Sequence, residues 1–167
     1  MASIKGYELK NVKTFQGREW RGIQGSIYHN GKKVGWYSDP GDGGMADIDL
    51  YLPKEKDGNQ RAEREQQLAA AVKKYYTEYP LRGEYARLAP DAELFFGALI
   101  QLSQDEKIYK KVSQNGYGHI VFYRKNKNEP NESYIAFRDK GAMEEFIERG
   151  EFEEMRRYDS AEDFVIR

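Results

Sequence analysis

Four aspartates, Asp39, Asp42, Asp47 and Asp49, fall within eleven residues of one another around Gly41-Asp-Gly-Gly44. Carboxylate oxygens at that density can hold a hard divalent cation, and a bound cation could activate water for hydrolysis. The spacing departs from a calcium loop of the helix–loop–helix kind, because Gly41 and Gly43 stand where ligands would be needed. The same glycines suggest a phosphate cradle, but no Lys-Ser/Thr pair follows and no helix is expected to start there. A tight turn with solvated carboxylates is the competing reading. His29 and His119 are the two histidines. Neither has the spacing that sets two imidazoles on one metal, so both are expected to be structural or surface residues. No serine-nucleophile motif occurs, and the absence of cysteine excludes thiolate chemistry and disulfides. A non-enzyme is the favoured expectation, with no cofactor and no metal.

A second constellation is built for contact. Arg18, Trp20, Arg21, Tyr28, Lys32, Lys33, Trp36 and Tyr37 put cations beside aromatics in a short stretch. Arg and Trp at loop tips can anchor a protein partner, stack on bases or contact phosphates. The expected partner-binding residues are Arg18, Trp20, Arg21, Lys32, Lys33 and Trp36. The alternative is that both indoles pack inside while the cations solvate an edge. Charge is nearly balanced, 27 basic against 28 acidic residues, which argues against a general polyanion binder. The balance conceals segregation. Residues 1–38 hold seven Lys/Arg against two Glu, and residues 139–167 hold five against ten Asp/Glu. The acidic end could itself occupy a positive groove by charge complementarity, or simply be a solvated face.

The elements that must position these residues follow from periodicity. The first third reads as an antiparallel meander. Tyr7, Leu9, Val12 and Phe15 mark a first strand whose alternation slips near Asn11, as at a bulge. Residues 22–29 and 34–37 pair through Asn30-Gly31, the dipeptide that supplies two positive φ angles to a type I′ turn. Ile48, Leu50 and Leu52 alternate with Asp47, Asp49 and Tyr51 in a fourth strand, ended by Pro53 and a charged run. Leu68, Ala71, Val72, Tyr75, Tyr76 and Tyr79 predict a helix over 60–78 that stops at Pro80. A second helix is expected from Pro90 with Leu94, Phe95, Ala98, Leu99 and Leu102 inward. Ser103-Gln-Asp-Glu106 fits a capping box, so a break and a third helix over 104–114 are predicted, closed by Asn115-Gly116. Residues 118–124 and 133–138 predict a second hairpin, and Asp139 caps a helix ended by Gly150. The tail 151–167 fits either a helix or a short strand before a turn at Ser160.

The expected fold is thus α+β: an N-terminal antiparallel β-meander packed on helices, then a second hairpin and a C-terminal helix. A single domain is expected, with subregions 1–58 and 59–167. No apolar run is long enough to span a membrane, and MASIKGYELK lacks the apolar core of a signal peptide, so a cytoplasmic protein is expected.

Two segments resemble known proteins. Lys10-Asn-Val-Lys-Thr-Phe-Gln-Gly17, continuing through Ser26–Val34 to Gly43-Gly44, is similar to the opening of small uncharacterised proteins of bacteriophages and mobile elements. Leu99–Lys111, with Gly116-Tyr117, is similar to their second half. The resemblance implies an inhibitor of host defence, of which anti-CRISPR proteins are one kind, or a sponge for signalling nucleotides. It carries over no site residues. The leading expectation is therefore a non-catalytic protein that occludes a host protein or nucleoprotein complex in the bacterial cytoplasm. The alternatives are a nucleic-acid-binding domain with a basic aromatic β-surface, and a metal-assisted hydrolase at the Asp39–Asp49 loop.

Overall fold

The computed structural model describes residues 1–54, 58–126 and 128–167. Part of the charged run after Pro53, and one position of the polar loop 125–132, lie outside the described residues. The chain is α+β, with three α-helices and nine strands among the described residues. It groups into two compact units, Ala2–Gln101 with Ile166–Arg167, and Leu102–Val165 with Met1.

The first unit carries the meander. β1 (Ser3–Ile4), β2 (Tyr7–Gln16), β3 (Arg21–His29), β4 (Lys32–Asp39) and β5 (Asp47–Asp49) run in antiparallel succession, and β9 (Val165–Ile166) lies beside β1. The resulting order is β5-β4-β3-β2-β1-β9. The Asn30-Gly31 turn forms as expected, with φ of 49° and 78°. Register slips between Lys10 and Lys13, and Asn11 takes φ 54°, so the bulge read from the broken alternation is present. The fourth strand is shorter than expected: only Asp47–Asp49 pairs with β4, although Leu50 remains buried. Its continuation is held otherwise, with Arg64 donating to the Leu50 carbonyl and Tyr51 N–H donating to Asp49.

One face of the sheet is covered by α1 (Gly58–Glu78) and by the start of α2 (Ala92–Ser113). Leu68 and Val72 of α1 are buried, whereas Tyr79 is exposed and stacks on Tyr75. Tyr7 meets Phe95 and Phe96 edge-on, and Tyr37 meets Phe96, so aromatic rings form much of this core. Between the helices the chain is irregular apart from a 3-10 turn at Gly83–Arg87. Pro90 stands before α2 and outside its first turn. The cap is Asp91, which accepts from Leu94 N–H at 2.8 Å.

The predicted break at Ser103 does not occur; α2 runs unbroken to Ser113. A capping box satisfies amides only where a helix has none behind it, and here Asp105 and Glu106 are drawn inward instead. In the second unit Asp105, 1% exposed, accepts from Arg156 at 2.8 Å and from the Tyr158 hydroxyl at 2.8 Å. Glu132 takes the other edge of the Arg156 guanidinium at 2.7 and 2.8 Å. Burial opposes the charge on Arg156, but the hydrogen bonds and charges of Asp105 and Glu132 outweigh it and raise its pKa.

β6 (His119–Arg124) is the central strand of the second sheet, between β7 (Ser133–Phe137) and β8 (Glu154–Tyr158). The hairpin is as predicted, and the ambiguous tail resolves into β8 and a 3-10 turn at Ala161–Phe164 capped by Ser160. α3 (Lys140–Arg149) starts at Asp139, which accepts from Ala142 N–H, and ends at Gly150. Its Met143 is fully buried.

Candidate interaction surface

Strand register assigns every meander side chain to one of two faces. Tyr7, Leu9, Ile27, Tyr37 and Ile48 share the face packed by the helices, since Tyr7 opposes His29, Leu9 opposes Ile27, and Gly25, Tyr37 and Ile48 form one row. The outer face is built of four rows. Glu8, Tyr28 and Lys33 form the first, and Lys10, Ser26, Trp36 and Asp49 the second. Lys13, Gln24, Ser38 and Asp47 form the third, and Phe15 opposes Gly22 in the fourth.

On this outer face cations and rings interlock. Lys10 Nζ lies 4.5 Å from the Tyr28 ring centroid, and Lys33 Nζ lies 4.1 Å from that of Trp36. Lys10 also pairs with Glu8 at 2.9 Å. Phe15 packs on Gly22, where an added Cβ would come within 2.3 Å of the ring. Trp36 remains 36% exposed and Phe15 39%. Large apolar side chains left open on a sheet face mark an interaction site more often than single scattered ones do.

The sequence-predicted anchors do not form one cluster. Lys33 and Trp36 are together on the outer face. Arg18 and Trp20 belong to the turn between β2 and β3, where the indole is 56% exposed. Arg21 opens β3 opposite Gln16, and Lys32 opens β4 at the far end of the sheet, both exposed. The eight steps from Arg21 to His29 span about 26 Å at roughly 3.3 Å each, which separates the two ends. Tyr37, grouped with these residues by sequence, is core, because its position in β4 has the opposite parity to Trp36. Lys10, Lys13, Phe15 and Gln24 complete the face and were missed. Their period-2 signal is present in 8–16, but the bulge at Asn11 shifts its phase.

The glycine-rich loop has a packing role. Gly41, φ 67°, accepts through its carbonyl from the Glu19 and Trp20 amides at 2.9 and 3.0 Å. A Cβ there would come within 2.5 Å of the Trp20 carbonyl oxygen. The loop thereby pins the Trp20-bearing turn. Its aspartates serve the backbone: Asp39 accepts from Gly41 N–H and Asp42 from Gly44 N–H. Asp39 belongs to the helix-side face, opposite Ile23, whereas Asp47 and Asp49 are on the outer one. The four do not converge, and among the described residues no group of three His, Asp or Glu is set to hold a metal.

Both histidines have structural settings. His29 stacks on Tyr7 at 4.2 Å, and burial lowers its pKa against a hydrogen bond to Gln67 that works to raise it. His119 Nδ1 is 3.3 Å from Asp159, which also pairs with Arg157 at 2.6 Å. No helix among the described residues is long and apolar enough to cross a membrane. No protein-family model, curated protein or solved structure matches this chain.

Proposed function

We propose that this chain is a non-catalytic binding protein that occludes a protein partner with the outer face of its six-stranded sheet. The observation that carries this reading is the pair of exposed rings Phe15 and Trp36 beside the half-buried Tyr28 and Lys33, held in register by three strands. Aromatic side chains ringed by charge are the usual source of hot-spot energy at protein interfaces. Charge on the four rows is balanced, Lys10, Lys13 and Lys33 against Glu8, Asp47 and Asp49. A mixed surface of this kind suits a protein better than a phosphate backbone. Area adds a requirement. A patch of about 26 Å by 15 Å falls short of the roughly 800 Å² per partner of a standard interface, so the Trp20 turn with Arg18 and Arg21 must extend it. The resemblance of residues 10–17, 26–34 and 43–44, and of 99–111 with 116–117, to small phage-borne proteins is the ground for proposing a host defence protein or nucleoprotein complex as the target.

The test is affinity capture from bacterial lysate, followed by titration of the captured protein against two variants. Trp36→Ala with Lys33→Ala is expected to lower affinity at least tenfold, and Arg18→Ala, Trp20→Ala and Arg21→Ala together by a similar factor. Equal affinity for both variants and the parent chain would refute the reading. Binding to nucleic acid draws support from the cation–ring pairs of Lys10 with Tyr28 and Lys33 with Trp36. It requires a steep loss of oligonucleotide binding with salt, and a flat response rules it out.

A further inference from the structure

A groove of about 780 Å³ opens in the first unit, on the helix side of the meander. Its lining includes Tyr37, Tyr76 and Tyr85 together with Asp39, Asp91 and Glu93, and no Lys, Arg or His. We propose that this groove is a binding site for an organic cation, an ammonium or guanidinium group carried on an apolar stem. The inference is independent of the sheet-face reading.

Three observations converge on that chemistry. First, each carboxylate is fixed by a single backbone amide: Asp39 by Gly41, Asp91 by Leu94, Glu93 by Ala46 at 3.2 Å. Among the described residues no cation pairs with any of the three. Three negative charges along one groove, each held in place and none neutralised, leave a net attraction for a positive ligand. Second, the Tyr37 side chain is only 4% exposed, lines the groove, and makes no hydrogen bond through its hydroxyl among the described residues. That hydroxyl is not sealed from solvent, since Arg124 Nε is the one buried side-chain donor or acceptor without a partner among the described residues, so a ligand N–H would take the place of water there. Burial, with Asp39 and Glu93 adding to it, pushes that hydroxyl up to about 12, so it stays neutral and can accept from a cation. Third, the remaining wall is aromatic and aliphatic, with Leu81, Leu88 and Leu94 beside the tyrosines. Tyrosine faces attract cations, and the leucines accommodate an alkyl stem.

The groove admits the same group from two sources, a free small cation or an arginine side chain of a partner segment. Titration of the full chain, followed by the ring signals of its tyrosines, separates them. Butylguanidinium is expected to give saturable shifts at Tyr37, Tyr76 and Tyr85, and its neutral isostere butylurea none. Acetyl-Gly-Arg-Gly-amide binding more tightly than butylguanidinium would assign the site to a side chain, and the reverse order to a free cation. Asp39→Asn, Asp91→Asn and Glu93→Gln keep the oxygens that accept the three amides and remove only the charge. Together they are expected to weaken butylguanidinium at least tenfold. Shifts of equal size with butylurea, no saturation with butylguanidinium, or unchanged affinity in the triple variant would each overturn the proposal. The comparison of the two isosteres on the parent chain stands even if the triple variant fails to fold.

Discussion

Trp36 and Tyr37 are neighbours in sequence and opposites in role. Strand pleat sends Tyr37 into the core against Phe96 and leaves Trp36 open beneath Lys33. Removing an indole that is already 36% exposed opens no cavity, so Trp36→Ala is expected to change unfolding free energy by less than about 1 kcal/mol. Tyr37→Ala, by contrast, should cost about 3–5 kcal/mol as a truncated core aromatic. Urea denaturation of the two variants measures the contrast directly. His29 offers a second test. Its folded-state pKa is depressed by burial against Tyr7, so between that value and the ordinary histidine range near 6.5 the unfolded chain binds more protons. Stability supplied by the neutral ring is therefore present above that range and lost as pH falls through it. His29→Phe keeps the stack and should flatten the fall in the urea midpoint between pH 7 and pH 5. An undiminished fall would assign the acid sensitivity elsewhere.

At the scale of elements, local rules identified what local rules decide. The Asn30-Gly31 turn, the Asn11 bulge, the Asp139 cap and the Gly150 stop were legible because each is set by backbone dihedrals or a nearby amide. The predicted break in α2 failed for a non-local reason. Ser103-Gln-Asp-Glu106 has a cap's spelling, but Asp105 is spent on Arg156 and Tyr158, fifty-one and fifty-three residues away. No window of sequence shows that partnership. The site was legible to the same degree: residue types pointed to the region, but the bulge hid which positions share a face, and Lys10, Lys13 and Phe15 were lost with it. The buried network makes a prediction of its own. Asp105→Ala leaves the Tyr158 hydroxyl and one edge of the Arg156 guanidinium unpaired, and because Glu132 keeps the other edge the loss should lie toward the lower end of the about 3–5 kcal/mol of a broken buried pair. Asp105→Asn, which keeps an acceptor for Tyr158, should cost less. Thermal unfolding that is indifferent to both would show that Glu132 alone satisfies the arginine.

Across the whole chain, charge is divided between the two units: the basic stretch to residue 38 belongs almost wholly to the first, and the acidic stretch from 139 mostly to the second. The outer sheet face is nearly neutral within that pattern, so the proposed docking would draw on rings and their desolvation more than on long-range fields. Partner affinity should accordingly change by less than about tenfold between 50 and 200 mM salt, whereas phosphate recognition through six or more contacts would lose about a thousandfold.

The proposed docking surface is the outer face of the meander, and the captured partner titrated against Tyr28→Ala with Trp36→Ala tests it most directly. Loss of the exposed Trp36 and the half-buried Tyr28 at an interface centre should weaken binding by about thirtyfold, near 2 kcal/mol, while the variant still unfolds cooperatively in urea. Affinity within twofold of the parent chain would contradict it.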